Sequence, residues 1–170
     1  MAPTAIIVPV PQAAAVVQAW RHWHTTDGAE GMPPHITLLH PFADASASVA
    51  EAAKKVLARF APMDFVLAST ARFAGARQVL YLRPVPDAAF RGMTSALVEA
   101  FPDHPPYGGA FADVVPHITI ADGIDEDVLA EIEGQVRPAL PIRARASHAW
   151  LMEYRDSVWR LHTRLPFGIA

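Results

Sequence analysis

The phrase Pro-His-Ile-Thr occurs twice in this chain, at 34–37 and at 116–119, and an apolar residue follows each copy. In an extended segment successive side chains point to opposite faces, so the histidine and threonine of each copy share one face. The isoleucine and the apolar residue that follows point the other way. We therefore expect two half-buried strands that each deliver an imidazole and a hydroxyl to a polar site, through His35, Thr37, His117 and Thr119.

The surroundings of the two phrases repeat as well. An apolar run with prolines at 6–11 and an alanine-rich helical stretch at 12–20 precede the first copy. A similar run at 80–86 and a helical stretch at 87–101 precede the second. The sequence therefore predicts an internally duplicated strand-helix-strand unit.

The rest of the chain alternates between helical and extended patterns. A capping box at Ser48–Glu51 predicts a helix reaching Phe60, and Asp125 opens another that ends at Val136. The segment 102–113 is too rich in proline and glycine for regular structure. The remaining alternating segments predict strands, the first two joined as a hairpin around Gly75: 64–73, 78–85, 142–153 and 157–165.

Composition sets the class of molecule. The chain has 170 residues, of which 52% are hydrophobic and 18% charged, enough apolar material for one domain spanning 1–170. No apolar run approaches the roughly 20 residues that a membrane span needs. The first residues carry no basic segment typical of a secretory signal. We expect a cytoplasmic, monomeric protein that does not bind membranes.

Cysteine and charge content exclude several kinds of site. The chain has no cysteine, which excludes disulfides, thiolate catalysis and cysteine-based zinc sites. Its formal charge of −3 does not favour binding to long nucleic acids, so a nucleic-acid partner is expected to be a nucleotide or a short end. His22 and His24 flank Trp23 at a spacing that does not share a helical face, so no metal site is expected there. The sequence predicts no metal and no cofactor.

Two matched histidines suit the chemistry of a cyclic phosphodiester. Histidine titrates near neutrality, so one ring can act as a base while another acts as an acid. Opening such a ring requires removal of a proton from water and delivery of a proton to the departing sugar oxygen. The threonine hydroxyls can donate hydrogen bonds to the non-bridging phosphate oxygens. Such a mechanism needs no metal.

The paired His-x-Thr phrases, about eighty residues apart in a duplicated frame, resemble the 2H phosphoesterase superfamily, also called the 2′-5′ RNA ligase or cyclic phosphodiesterase family. The stretches 33–42 and 106–123 carry the resemblance most clearly. It implies a bilobal α+β fold, with two antiparallel sheets around a central groove and one His-x-Thr phrase from each lobe.

The resemblance also implies an activity. His35 and His117 would be the acid and the base, and Thr37 and Thr119 would hold the phosphate. The expected reaction is hydrolysis of a 2′,3′-cyclic phosphate on an RNA end or nucleotide, or of a related cyclic phosphodiester. A nucleotide-binding module with little turnover and a 2′-5′ RNA ligase are the alternatives. Relatives that process RNA ends often carry a basic residue after the second phrase, where this chain has Ala121-Asp122, and that departure argues against ligation.

Other side chains are assigned by parity and position. Tyr81 and Arg83 share a strand face, which either lines the groove beside the phosphate or faces solvent, as is common for such a pair. Tyr107 enters the second phrase from the glycine-rich loop, where it either stacks on a base or anchors the loop. Parity turns His40 away from His35, toward packing. Trp150 and Trp159 are expected in the core.

Overall fold

The computed structural model describes residues 2–75, 77–123 and 125–168. Among them are eight strands, arranged in two antiparallel sheets. In chain order the strands are β1 (Thr4–Pro9), β2 (His35–Leu39), β3 (Met63–Phe73), β4 (Val79–Val85), β5 (Ile118–Asp122), β6 (Ile142–Ala146), β7 (His148–Arg155) and β8 (Val158–Pro166). The first sheet has the order β2-β1-β7-β8 and the second has the order β5-β4-β3-β6.

Within the described ranges, five α-helices connect the strands. They are α1 (Ala14–His24), α2 (Thr26–Ala29), α3 (Ala47–Leu57), α4 (Ala88–Ala100) and α5 (Glu126–Val136). Short 3₁₀ turns add Pro11–Ala13, Pro106–Gly109 and Arg137–Ala139. The fold is α+β with a duplicated strand-helix-strand unit, β1-α1-β2 and β4-α4-β5, as expected. In both units the second strand lies antiparallel to the first and forms the edge of its sheet.

The helix of each unit packs against a strand of the other unit. The motif strands are β2, which begins at His35, and β5, which begins directly after His117. Helix α1 contacts β5 and helix α4 contacts β2, so each helix contacts the motif strand of the opposite unit. Each contact includes a hydrogen bond from a helix side chain to a strand carbonyl. Arg21 Nη1 donates to the Thr119 oxygen at 2.7 Å, and Thr94 Oγ1 donates to the Leu38 oxygen at 2.8 Å. Since β2 and β5 also contact each other, the two units are joined at their motif strands.

The alternation of side chains divides each motif strand as the sequence predicts. The apolar residues that follow each histidine are buried in one large core shared by both sheets and the helices. They are Ile36, Leu38, Ile118 and Ile120, none more than 1% exposed. The opposite face of β1 is also apolar and packs in a second, smaller cluster of Ala5, Ile7, Met32 and Met152.

Two local expectations were wrong. The predicted strand 142–153 is two strands in different sheets, since β6 pairs with β3 and β7 pairs with β1. The buried positions shift parity across Ser147, from Ala146 to Ala149, because the chain changes sheets there. Helix α3 begins earlier than the Ser48 box, because the side chain of Ser46 accepts the hydrogen bond from the Val49 amide.

Among the described residues, the helices include none with the length and apolar character needed to cross a membrane.

The core of the second sheet offers a matched test of packing. Leu82 in β4 is fully buried, whereas Leu161 in β8 is 39% exposed. We expect Leu82→Ala to lower the free energy of unfolding by about 2–5 kcal/mol, because it removes buried methyl groups and leaves a cavity. Leu161→Ala should cost less than about 1 kcal/mol. Urea denaturation followed by circular dichroism measures both, and equal losses would contradict the assigned core.

Candidate active site

A cleft of about 790 Å³ lies between the two sheets and is lined by both His-x-Thr phrases. Ligand pockets commonly measure about 300–1,000 Å³, so the cleft has room for a nucleotide-sized molecule. The structure thus brings four residues singled out in the sequence into one space: His35, Thr37, His117 and Thr119.

The two histidine rings are held in the same way. His35 Nδ1 lies 2.7 Å from the carbonyl oxygen of Pro33, and His117 Nδ1 lies 2.7 Å from that of Val115. A carbonyl oxygen only accepts hydrogen bonds, so each Nδ1 carries the proton. In a neutral ring this leaves Nε2 unprotonated and able to take a proton. Each ring is thereby oriented by the carbonyl two residues before it.

The surroundings of the two rings differ. His35 Nε2 lies 3.1 Å from Thr37 Oγ1, so the neutral ring accepts a hydrogen bond from that hydroxyl. His117 is instead packed edge-on against Phe73 and Tyr81, with ring centroids 5.0 and 5.4 Å away. The two aromatic rings stack on each other at 4.1 Å and support the His117 imidazole.

Both histidines favour the neutral form. Burial lowers the pKa of His35 to about 4, helped by the nearby positive charge of Arg21 and opposed by the carboxylate of Asp27. Burial also lowers the pKa of His117, against the hydrogen bond to Val115. The cleft therefore holds two uncharged imidazoles at neutral pH.

A buried ion pair lies beside His35. The Arg21 side chain is completely buried, and its Nη2 donates to Asp27 Oδ2 at 2.9 Å. The same carboxylate oxygen lies 3.9 Å from His35 Nε2. Burial alone raises the pKa of Asp27, but the Arg21 guanidinium and His35 outweigh it, so the net pKa is lowered. Asp27 is therefore an anion on the wall of the cleft.

Two further carboxylates line the cleft, and each has an arginine partner. Asp113 Oδ1 lies 2.8 Å from Arg91 Nη1, and Asp122 Oδ1 lies 2.7 Å from Arg77 Nη2. Arg77 itself lines the cleft and enters from the loop between β3 and β4. The negative charge of Asp122, which follows the second phrase, is thus compensated by Arg77, 45 positions earlier in the chain.

Of the other candidate residues, Tyr107 lies on the lining of the cleft, whereas Tyr81 and Arg83 do not. Tyr107 lines the cleft, and burial raises the pKa of its hydroxyl, opposed by the adjacent Thr37 side chain. Its amide also donates to the His40 carbonyl at 2.6 Å, so the tyrosine is a loop anchor as well as part of the lining. Tyr81 is buried against the His117 ring and is not on the cleft lining, and Arg83 is exposed outside the cleft.

Two aromatic side chains are placed differently from expectation. His40 lines the cleft because β2 ends at Leu39 and the chain bends there, so strand parity no longer applies. Trp159 also lines the cleft, edge-on to His40 at 6.0 Å, whereas a core position was expected. Trp150 packs against the small cluster on the cleft side of the first sheet.

Sequence reasoning missed Arg21 and Asp27. One signal was present, because Arg21 follows Ala13 and Val17 at intervals of four, on the buried stripe of the helical segment. A charged residue on such a stripe requires a buried partner. The sequence gives no comparable sign that Asp27 is this partner.

The described residues contain no group of three or more histidine, aspartate or glutamate side chains placed to hold a metal ion. The arrangement provides instead two oriented imidazoles and two hydroxyls around one space. Such a set can transfer protons and donate hydrogen bonds to an anion.

A duplicated α+β fold with paired His-x-Thr strands defines a 2H phosphoesterase-type protein. Residues 8–157 match the family model described as the 2'-5' RNA ligase superfamily, and the chain belongs to that family. No curated protein matches the chain at the level of sequence.

Solved structures share the fold at low sequence identity. A protein described as a phosphoesterase is 15% identical, with 99% of each chain covered and a TM-score of 0.60. E. coli LigT, in a crystal structure with 3'-AMP, is also 15% identical, with 98% of each chain covered and a TM-score of 0.58. These similarities establish the fold.

The lowered pKa of His35 makes stability depend on pH. An unfolded histidine titrates near 6.5, so the unfolded chain binds this proton before the folded chain does as the pH falls. The contribution of His35 is complete above about pH 6.5 and is lost progressively toward pH 4, by roughly 3 kcal/mol. Urea denaturation at several pH values measures it.

His35→Gln should flatten this dependence, because glutamine does not titrate. His162→Gln is the matched control, since His162 is exposed on β8. A wild-type slope retained in His35→Gln would contradict the buried neutral state of His35.

Proposed function

We propose that this protein is a metal-independent phosphodiesterase that opens a 2′,3′-cyclic phosphate of a nucleotide or an RNA end, or a related cyclic phosphodiester. The observation that carries the proposal is the convergence of two equivalent His-x-Thr strands on one cleft. The chain 1–170 is proposed to act as one unit, since the two strands come from different sheets.

The proposed reaction assigns one task to each ring. One imidazole takes a proton through Nε2 from the attacking water, whose oxygen forms a bond to phosphorus. The bond from phosphorus to one ribose oxygen breaks, and the other imidazole, protonated, gives that oxygen its proton. The product is a phosphate monoester.

The threonines are proposed to hold the phosphate during this displacement. Thr37 and Thr119 lie two residues after each histidine and line the same cleft. Their hydroxyls can donate hydrogen bonds to the non-bridging oxygens, where negative charge must be stabilised. Thr37 bonds to His35 in the structure, so this hydroxyl would change partner when the phosphate enters.

An acid is needed although both rings are neutral in the free cleft. A phosphate anion placed between them raises the pKa of each imidazole, because a nearby negative charge favours the protonated form. Substrate binding would thereby bring one proton into the site.

The central test is hydrolysis of 2′,3′-cyclic AMP in excess chelator. We expect His35→Gln and His117→Gln each to lower kcat by about 100-fold or more, because each removes one proton transfer. The double variant should be little worse than either single one, since the two rings act together.

His162→Gln controls for the substitution itself and should keep wild-type activity. Near wild-type turnover in His35→Gln or His117→Gln would contradict the acid-base proposal. Tight binding of the nucleotide without turnover in the wild-type protein would indicate the binding module, and loss of activity in chelator would indicate metal-dependent hydrolysis.

A second test measures the proton that accompanies binding. LigT is described in complex with 3'-AMP, and the same nucleotide is a suitable probe here. We expect binding to take up protons at pH 7, and the affinity to rise as the pH falls from 8 to 6, because the histidines are neutral in the free cleft.

Isothermal titration calorimetry in buffers of different ionisation enthalpy measures this uptake. It should diminish in the histidine variants and be unchanged in His162→Gln. Binding with no proton uptake would contradict the proposed charge state.

A further inference from the structure

The Arg21–Asp27 ion pair connects the two motif strands. Arg21 Nη1 donates a hydrogen bond to the carbonyl oxygen of Thr119 in β5, and Arg21 Nη2 donates one to Asp27 Oδ2. That same Asp27 oxygen is 3.9 Å from His35 Nε2. Hydrogen bonds therefore run from the second His-x-Thr phrase through Arg21 to Asp27, whose carboxylate lies near the histidine of the first phrase.

The pair is built into the fold and is not a chance surface contact. Arg21 is 0% exposed, and the Asp27 side chain is 34% exposed on the wall of the cleft. A buried arginine is costly unless its charge is compensated, and Asp27 supplies that compensation.

Helix α2 brings Asp27 to this place. Thr25 begins the helix by accepting the amide hydrogen of Gly28 at 3.0 Å and donates its own hydroxyl to the Arg21 carbonyl at 2.8 Å. A Cβ at Gly28 would lie 2.6 Å from that carbonyl oxygen, so the close turn requires glycine. The segment 21–28 is thus fixed by local bonds that place a carboxylate beside His35.

We propose that Arg21 and Asp27 are positioning residues, which hold β5 against the first motif and set the electrostatic environment of the His35 ring. Only the expected effect of these two residues on turnover rests on the proposed function. Its structural part concerns the state of His35, which can be measured without catalysis.

The charged groups around His35 act in opposite directions. Asp27 raises the pKa of the ring, whereas Arg21 and a protonated His117 lower it, and burial lowers it most. Tyr107 approaches from the loop and is neutral at these pH values, since burial raises its own pKa. Removing Asp27 should therefore lower the pKa of His35, and removing the charge of Arg21 should raise it.

The experiment follows the His35 ring by NMR from about pH 3 to pH 8.5, a range that includes its lowered pKa of about 4, in the free protein and with saturating 3'-AMP. The signal is assigned by its absence in His35→Gln. We expect Asp27→Asn to shift the titration to lower pH by about half a unit or more, and Arg21→Met to shift it to higher pH by a similar amount. If the two residues had only a structural role, the two substitutions would not shift the pKa of His35 in opposite directions.

Turnover of 2′,3′-cyclic AMP gives a second readout. Asp27→Asn should lower kcat about tenfold or more with a smaller change in KM, since the ring loses the carboxylate that favours its protonated form while the cleft persists. The pH-rate limb governed by His35 should move to lower pH. Asp64→Asn is the matched control, because Asp64 pairs with Arg145 at 2.9 Å on the surface, outside the cleft.

The outcomes separate this inference from the proposed function. Unchanged His35 titration and unchanged kcat in Asp27→Asn would overturn the positioning role, even in an active enzyme. A shifted titration in a protein that does not turn over cyclic phosphates would uphold the positioning role and count against the proposed function. If Arg21→Met does not fold, Asp27→Asn alone decides, with thermal unfolding showing whether it remains folded.

Discussion

The packing of each helix against the motif strand of the opposite unit is the constraint on which the site depends. A strand at the edge of a sheet has unpaired backbone groups on one side, and its position is less fixed than that of a central strand. Here both motif strands are edge strands, and α1 and α4 each bond to a carbonyl of the opposite one. The relative position of the two histidines therefore follows from helix packing.

Burial of the motif strands determines the chemistry of the rings. The apolar face of each strand lies in the shared core, which draws the histidine face out of solvent as well. His35 is 8% exposed, and burial lowers its pKa to about 4. A neutral ring whose Nδ1–H donates a hydrogen bond to a carbonyl oxygen presents Nε2 as an acceptor, so the fold fixes this state of the ring before any ligand arrives.

The sequence predicts the parts of this molecule that follow from local pattern. Strand parity correctly separated Ile36 and Leu38 from His35 and Thr37, and the repeated phrase revealed the duplication. Parity failed at His40, because it holds only while the strand continues, and β2 ends at Leu39. The single strand expected at 142–153 failed for a related reason, since a change of sheet at Ser147 interrupts the alternation by one residue.

The local sequence pattern could not predict which residues pair across long distances in the chain. Arg77 and Asp122 lie 45 positions apart, and Arg21 and Thr119 lie 98 positions apart. Partners at such separations are selected by topology, which a single sequence does not display. Arg21 was detectable only as a charge in an apolar stripe, and its partners were not.

A duplicated motif provides two equivalent groups, whereas the proposed acid-base reaction needs two groups that differ. The bond from Nδ1 to the carbonyl two residues earlier is the same for both rings, so the difference must come from their neighbours. Helix α4 reaches β2 with Thr94, which is neutral, while helix α1 reaches β5 with Arg21, which is charged and pairs with Asp27. This charged pair therefore enters through one helix of the two. It acts on both rings, and its carboxylate lies 3.9 Å from His35 Nε2 because α2 turns back onto the end of α1 at Gly28.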